Sequence, residues 1–221
     1  MSEPGGHHGG AGCGRVLLAT RSAGKRRELE AMLRAHGWDV IDLERAGVAL
    51  EALAEDALET AATFEENALA KARYFFARSG LPTIADDSGL ACDALGGAPG
   101  VHSKRWSARP DLHGVALDDE NNARLLRELA AAARAGVTTR VARYVCAAAY
   151  VDAARALVAR GETAGRILER AEGTEGFGYD PLFFSDDLGA PFGRVSAAAK
   201  ATVSHRARAV ALLLEKVQQG S

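Results

Sequence analysis

The first continuous apolar run of the chain, Val16-Leu17-Leu18-Ala19, has no polar interruption, which is the pattern of a short strand buried on both faces. Behind it Leu29, Met32, Leu33 and His36 recur at helical spacing, between an opening at Gly24-Lys25 and a stop at Gly37. Trp38 to Leu43 alternates as a second strand, so the chain begins strand, loop, helix, strand, as α/β proteins do. Thr63 followed by Glu66 is a capping-box signature and predicts a helix over 63–79, with Leu69, Ala72 and Phe76 on one face and Asn67 and Lys71 on another. Leu81 to Ala85 predicts a buried strand that ends at Asp86-Asp87-Ser88-Gly89, and Asp118 predicts the N-cap of a helix carrying Leu125, Leu126 and Leu129. Residues 141–151 and 156–168 read as two strands joined at Asp152, the second turning Arg160, Glu162 and Arg166 outward. Val203, Ala207, Val210, Leu214 and Val217 make one stripe of a last helix.

Composition narrows the class. With 221 residues, 48% hydrophobic and 25% charged, the chain has the proportions of an ordinary globular protein with room for both a core and a cleft. Its 27 Lys and Arg against 29 Asp and Glu leave a charge of -2, which argues against a protein that coats nucleic acid through bulk electrostatics. No apolar run approaches the ~20 residues that cross a bilayer, and the polar start lacks a signal-peptide pattern, so the expectation is a cytoplasmic protein with no membrane partner. Cys13, Cys92 and Cys146 have no metal-ligand spacing, and the latter two read as small core residues. Residues 1–14, rich in glycine and carrying His7 and His8, offer too little apolar surface to offset ordering; they are expected to form a disordered tail before a single two-lobed domain over 15–221.

Four segments concentrate chemistry. Ala19-Thr20-Arg21-Ser22-Ala23-Gly24-Lys25 lies between a buried strand and a helix start, where free backbone N–H groups and the helix dipole favour an anion. It is not a Walker A loop, because Ala19 stands at the first glycine position and Arg26 follows Lys25; alone, it also reads as a capped helix with surface basic residues. Asp86 and Asp87, adjacent at the carboxyl end of a strand, point to opposite sides where open sheets present ligand-binding groups. Mg²⁺ takes such carboxylates, with Glu59, Glu65 and Glu66 as candidates for the second one, and the competing reading is a turn. In Gly173 to Pro181, Phe177 and Tyr179 with Asp180 suit a flat heterocycle, or a well-packed turn. Lys200 and Ser204-His205-Arg206 set positive groups near the start of the last helix, where a solvated basic face is the alternative.

Taken together, these segments resemble the inosine triphosphate pyrophosphatase family. The resemblance runs from about Arg15 to Val217 and rests on A-T-x-x-x-G-K at 19–25, T-F-x-E-N-A-x-x-K-A at 63–72, A-D-D-S-G-L at 85–90 and G-G-A-P-G at 96–100. It continues with S-x-R-x-S at 103–107, G-x-x-G-F-G-Y-D-P at 173–181 and S-H-R at 204–206. The family's fold is an elongated α/β protein, a long curved mixed sheet with flanking helices and a nucleotide cleft between two lobes, and its members are usually homodimers. The resemblance makes Asp87 the proton acceptor and a metal carboxylate, and Glu59 the second metal carboxylate, with Mg²⁺ as cofactor. It gives Thr20, Arg21, Ser22, Ala23, Gly24, Lys25 and Lys71 to the triphosphate, sets Ser88 close to substrate, and places Phe177, Gly178, Tyr179, Asp180, Lys200, His205 and Arg206 around the nucleoside.

The implied reaction is metal-assisted attack of water at the α-phosphorus of a non-canonical purine nucleoside triphosphate, releasing the monophosphate and pyrophosphate. Hypoxanthine and xanthine carry a carbonyl where adenine carries an amino donor, so donors such as His205 and Arg206 would select them. The chain departs from the family at Ser22, where Asn is usual, at Ala198, Ala199 and Ala201 around Lys200, and at His102. Competing readings are a pyrophosphatase for modified pyrimidine triphosphates, disfavoured by the T-F-x-E-N and S-H-R segments, and a catalytically silent nucleotide binder, disfavoured by intact Glu59 and Asp87.

Overall fold

A computed structural model describes residues 14–219. Apart from Gly14, the expected tail lies outside the described residues, as does Cys13. In chain order the elements are β1 (Arg15–Leu18), α1 (Ala23–Ala35), β2 (Asp39–Asp42), α2 (Ala52–Asp56), α3 (Phe64–Ser79), β3 (Thr83–Cys92) and α4 (Gly114–Arg134). They continue with β4 (Val141–Val151), β5 (Ala156–Ile167), β6 (Phe183–Ser185), β7 (Ala190–Pro191), α5 (Ala197–Ala201) and α6 (His205–Gln219). The strands form one mixed sheet in the order β2-β1-β3-β4-β5-β6-β7, parallel across β2-β1-β3 and antiparallel beyond.

The alternation of side chains along the strands sorts the core by face. Val16, Leu18, Ile84, Cys146 and Tyr150 pack with Leu29 and Leu33 of α1 and Leu213 and Leu214 of α6. Leu17, Ala85, Val145, Ala147 and Ala149 pack on the other face with Phe64, Ala68, Ala72 and Phe75 of α3. A third cluster, at the far end of β3 and β4, joins Leu90, Cys92 and Tyr144 to Leu125 and Leu129 of α4 and to Phe183 and Phe192. Cys92 and Cys146 are buried in these cores, as expected.

Helix limits follow local chemistry. Ser22 caps α1, its side-chain oxygen accepting from the Lys25 N–H. Thr63 caps α3, its Oγ1 accepting from the Glu66 N–H and donating to the Glu66 carboxylate, and Gly80 closes that helix in the left-handed region. Three expectations need correction. The buried face of α3 is Phe64, Asn67, Ala68, Lys71, Ala72 and Phe75, while Leu69 and Phe76 are only partly buried, because polar partners on β3 draw Asn67 and Lys71 inward. Asp118 does not cap α4, which starts at Gly114 behind His113, so its carboxylate is free to bind elsewhere. Most consequentially, β3 does not end at Asp86: it runs through Asp86-Asp87-Ser88-Gly89 to Cys92, paired residue by residue with β4.

Candidate active site

The other edge of β3 makes the site. β1 stops opposite Ile84, and coverage resumes where the Ser103 hydroxyl accepts from the Leu90 N–H and Pro99 bridges Ala91. Between these points no described strand covers β3, and the bare stretch is Ala85 to Gly89. Gly89 is required here, since a Cβ would stand 2.3 Å from the Gly100 carbonyl oxygen and 2.4 Å from the Ser103 hydroxyl. The two carboxylates of this edge point to opposite faces of the sheet and meet different partners.

Asp87 faces α3 and is 5% exposed. Its Oδ2 accepts from the Asn67 amide at 2.9 Å, and its Oδ1 lies 3.4 Å from the Lys71 ammonium, which also holds Glu59 Oε1 at 2.8 Å. Glu59 lies in the 3₁₀ turn Ala57–Glu59, fixed by Arg105, which donates to the Glu59 carbonyl at 2.5 Å and approaches its carboxylate at 3.4 Å. Burial works against the charged form of Glu59, but the Lys71 ammonium, its hydrogen bond and the more distant Lys25 and Lys104 together outweigh it and bring the carboxyl down to about 2. The same two carboxylates overcome burial and raise Lys71. Glu65 and Glu66 are occupied elsewhere, Glu65 with Arg160 at 2.9 Å and Glu66 with the cap of α3.

Asp86 faces α1 and α6. Its Oδ2 lies 3.2 Å from the Lys25 ammonium and 3.3 Å from Arg206 Nε, while its Oδ1 is buried without a hydrogen-bond partner. Arg206 also donates to the Ser88 hydroxyl at 2.8 Å and to Glu28. Lys200 of α5 is buried between Asp180 Oδ2 at 2.5 Å and Glu28 Oε1 at 2.9 Å, so its position is fixed despite the alanines around it. Glu28, one turn after Lys25 on α1, thus holds together the two cations of the distant C-terminal segment, and sequence reasoning missed it.

The aromatic segment closes over this face. Phe177 lies on the start of α1, where a Cβ on Gly24 would stand 2.6 Å from its ring, and Lys200 Nζ lies 5.0 Å from the ring centre. Its N–H donates to Asp180, whose other oxygen accepts from Tyr144. Tyr144 stacks on the His205 ring at 4.6 Å and 8°. Burial, with Arg206 and Lys200 adding to it, takes His205 well below its ordinary 6.5, so the ring is neutral, and its Nδ1 is buried without a partner.

Most of the residues singled out from sequence therefore converge: Lys25, Asp86, Ser88, Phe177, Asp180, Lys200, His205 and Arg206 on one side of the bare edge, Glu59, Lys71 and Asp87 on the other. Thr20 accepts from the Ser22 N–H and shapes the loop leading into α1. The Arg21 guanidinium turns away. It pairs with Glu55 at 2.8 and 3.0 Å and donates to the Val48 and Ala49 carbonyls, tying the loop to the segment that leads to Glu59. Arg21→Ala is expected to speed backbone hydrogen exchange across 48–56 by at least about tenfold, the loss of one charge-assisted contact, and to leave β3 and β4 unchanged.

Acid stability follows from the same groups. A buried neutral His205 leaves the unfolded chain to take the proton first, so stability is lost as pH falls below 6.5. Glu59, held down from 4.5 to about 2, adds a second loss as pH falls through that window. Urea midpoints are expected to decline between about pH 7 and pH 5, with the decline reduced in His205→Asn.

The chain belongs to the Ham1 family, whose model matches residues 16–216. The dITP/XTP pyrophosphatase of Ralstonia nicotianae is 42% identical over 207 residues, covering 92% of this chain and 96% of that relative. The protein of the same description from Symbiobacterium thermophilum is 43% identical over 204 residues, covering 92% and 94%. Among solved structures, a HAM1 protein from Coxiella burnetii superposes with a TM-score of 0.77 at 31% identity, covering 94% of this chain and 99% of that one. The nucleoside-triphosphatase / dITP/XTP pyrophosphatase of Mycobacterium abscessus gives 0.64 at 35% identity, covering 93% and 97%.

Proposed function

We propose that this chain hydrolyses non-canonical purine nucleoside triphosphates, the inosine, deoxyinosine and xanthosine forms, to the monophosphate and pyrophosphate. The observation that carries the reading is the bare edge of β3, where Glu59, Asp87 and Lys71 meet on one face and the N-terminus of α1 with Lys25 stands on the other. The names of the relatives point to the same substrates. The cleft between the two lobes takes the free nucleotide, and the enzyme acts as a homodimer in the cytoplasm.

The residues fit a hard divalent cation. Glu59 and Asp87 already converge on one positive group, the Lys71 ammonium, and two carboxylates suit Mg²⁺, which completes its shell with water and substrate phosphates. The described residues contain no cluster of three or more His, Cys, Asp or Glu side chains that would suggest an all-protein cage. Glu59 and Asp87 would hold the ion, which would neutralise the triphosphate and polarise its phosphorus.

The chain's own groups supply the rest. The free N–H groups at the start of α1 and the Lys25 ammonium bind phosphate oxygens, and Lys71 neutralises charge that develops on the phosphoryl group. Asp87, oriented by Asn67, accepts the proton of the attacking water. Phe177 stacks on the base. Neutral His205, with spare hydrogen-bonding capacity at its ring, is suited to a base carbonyl, whereas Arg206 is engaged with Asp86, Ser88 and Glu28. Hydrolysis of inosine triphosphate in ¹⁸O-water tests the mechanism. Label is expected in the monophosphate, and label confined to pyrophosphate would place attack at the β-phosphorus.

A further inference from the structure

The face of α4 made by Asp118, Asn121 and Asn122 makes no hydrogen bond or ion pair with the charged groups at the bare edge of β3, yet its side chains end on the backbone of the segments that carry Phe177 and Ser103. Asp118 Oδ2 accepts from the Gly178 N–H at 2.8 Å, and Asn122 Nδ2 donates to the Gly178 carbonyl at 3.0 Å. One residue is thus gripped on both peptide groups by side chains one turn apart. Asn121, buried beside them, accepts from the Ser107 N–H at 2.7 Å and donates to the Lys104 carbonyl at 3.0 Å. Arg124 lies over the Trp106 ring at 4.3 Å. Leu125 and Leu129 root the helix in the third core cluster, so the surface from which these contacts reach out is anchored by buried packing.

Gly178 sits between Phe177 and Tyr179 with φ +64°, in the left-handed region, so the direction of both neighbours depends on how this peptide is held. On one side the Phe177 ring rests on Gly24 and beside Lys200; on the other, the Tyr179 hydroxyl donates to the Ser103 carbonyl at 2.8 Å. A rotation at Gly178 would move the Phe177 ring relative to Lys200, His205 and Arg206. We infer that Asp118 and Asn122 are positioning residues for nucleobase selectivity: they clamp Gly178 and so set where Phe177 meets the base. The inference rests on the assignment of Phe177 to Asp180 to the base subsite.

The test compares Asp118→Ala and Asn122→Leu with the conservative Asp118→Asn, which keeps an acceptor for the Gly178 N–H. For each variant that melts as one folded species, KM and kcat are measured with inosine and adenosine triphosphates, and exchange of the Gly178 amide is followed by NMR. Asp118→Ala and Asn122→Leu are expected to raise KM for inosine triphosphate, and to lower its preference over adenosine triphosphate, by at least about tenfold, with kcat changing much less. The Gly178 amide is expected to exchange faster in Asp118→Ala, and Asp118→Asn to restore both readouts. A folded variant that frees the amide but keeps the wild-type preference overturns the inference alone, as does a fall in kcat with preference intact. A wild-type enzyme without preference for inosine triphosphate overturns the base-subsite assignment and the inference with it. The two alanine and leucine variants break different bonds of the same clamp, so one that misfolds leaves the other to decide.

Discussion

Asp87→Asn is expected to lower kcat by at least about 10²- to 10⁴-fold, the range that a lost general base accounts for, in a protein that still folds. The geometry explains both halves of this expectation. The amide retains an oxygen to accept from Asn67, and Lys71 keeps its closer carboxylate, Glu59, at 2.8 Å, so the stability cost is at most about 2 kcal/mol. The amide has no basicity with which to take a proton from water, and it is a poorer ligand for a hard cation. Urea unfolding beside single-turnover hydrolysis of inosine triphosphate separates the two effects. A folded variant with wild-type turnover would remove Asp87 from the mechanism.

Glu28→Gln is expected to be the most damaging single change to stability among the charged residues of the site. Glu28 is the shared partner of Lys200 and Arg206, both buried, and the substitution leaves their positive charges facing a neutral group. Breaking one side of a buried ion pair costs about 3–5 kcal/mol when nothing compensates. Here Asp180 still holds Lys200, and Asp86 still holds Arg206, so about 3 kcal/mol is expected, read as a lower urea midpoint with an unchanged slope. KM for inosine triphosphate is expected to rise with it, because the two cations border the Phe177 ring. A stability change below about 1 kcal/mol would show that the network carries no such charge coupling.

Much of this architecture is legible in the sequence because it is local. The β1 run, the capping box of α3, the hairpin of β4 and β5 and the Val210, Leu214 and Val217 part of the α6 stripe each follow from residues within a few positions of one another, whereas Val203 precedes that helix and Ala207 is only partly buried. What is not legible depends on partners far along the chain. Asp86-Asp87-Ser88-Gly89 looks like the end of a strand because two carboxylates in a buried strand would ordinarily be costly. They are tolerated in mid-strand since Lys25, Arg206, Lys71 and Asn67 arrive from α1, α6 and α3. Glu28 lies 172 residues from Lys200 and 178 from Arg206, and only its position one turn after Lys25 signals that the two share a face of α1. Asp118 looks like a cap because acids favour a first helical turn, but α4 begins a turn earlier and leaves that carboxylate for Gly178.

The same dependence on distant partners explains Arg21. Its place in a phosphate-loop pattern suggested a substrate contact, yet Glu55 and the carbonyls of Val48 and Ala49 claim its guanidinium. Of the charged side chains of the loop, Lys25 is the one that faces the bare edge, through Asp86.

Pyrophosphate release with Mg²⁺ across inosine, xanthosine, adenosine, guanosine and cytidine triphosphates tests the proposed activity and its substrate class together. Pyrophosphate is expected from the inosine and xanthosine forms, with kcat/KM for the canonical nucleotides lower by at least about 10²-fold, as a polar pocket that rejects a mismatched base group requires. Equal release from all five, or orthophosphate as the product, would show that the chain is not a pyrophosphatase selective for non-canonical purine nucleotides.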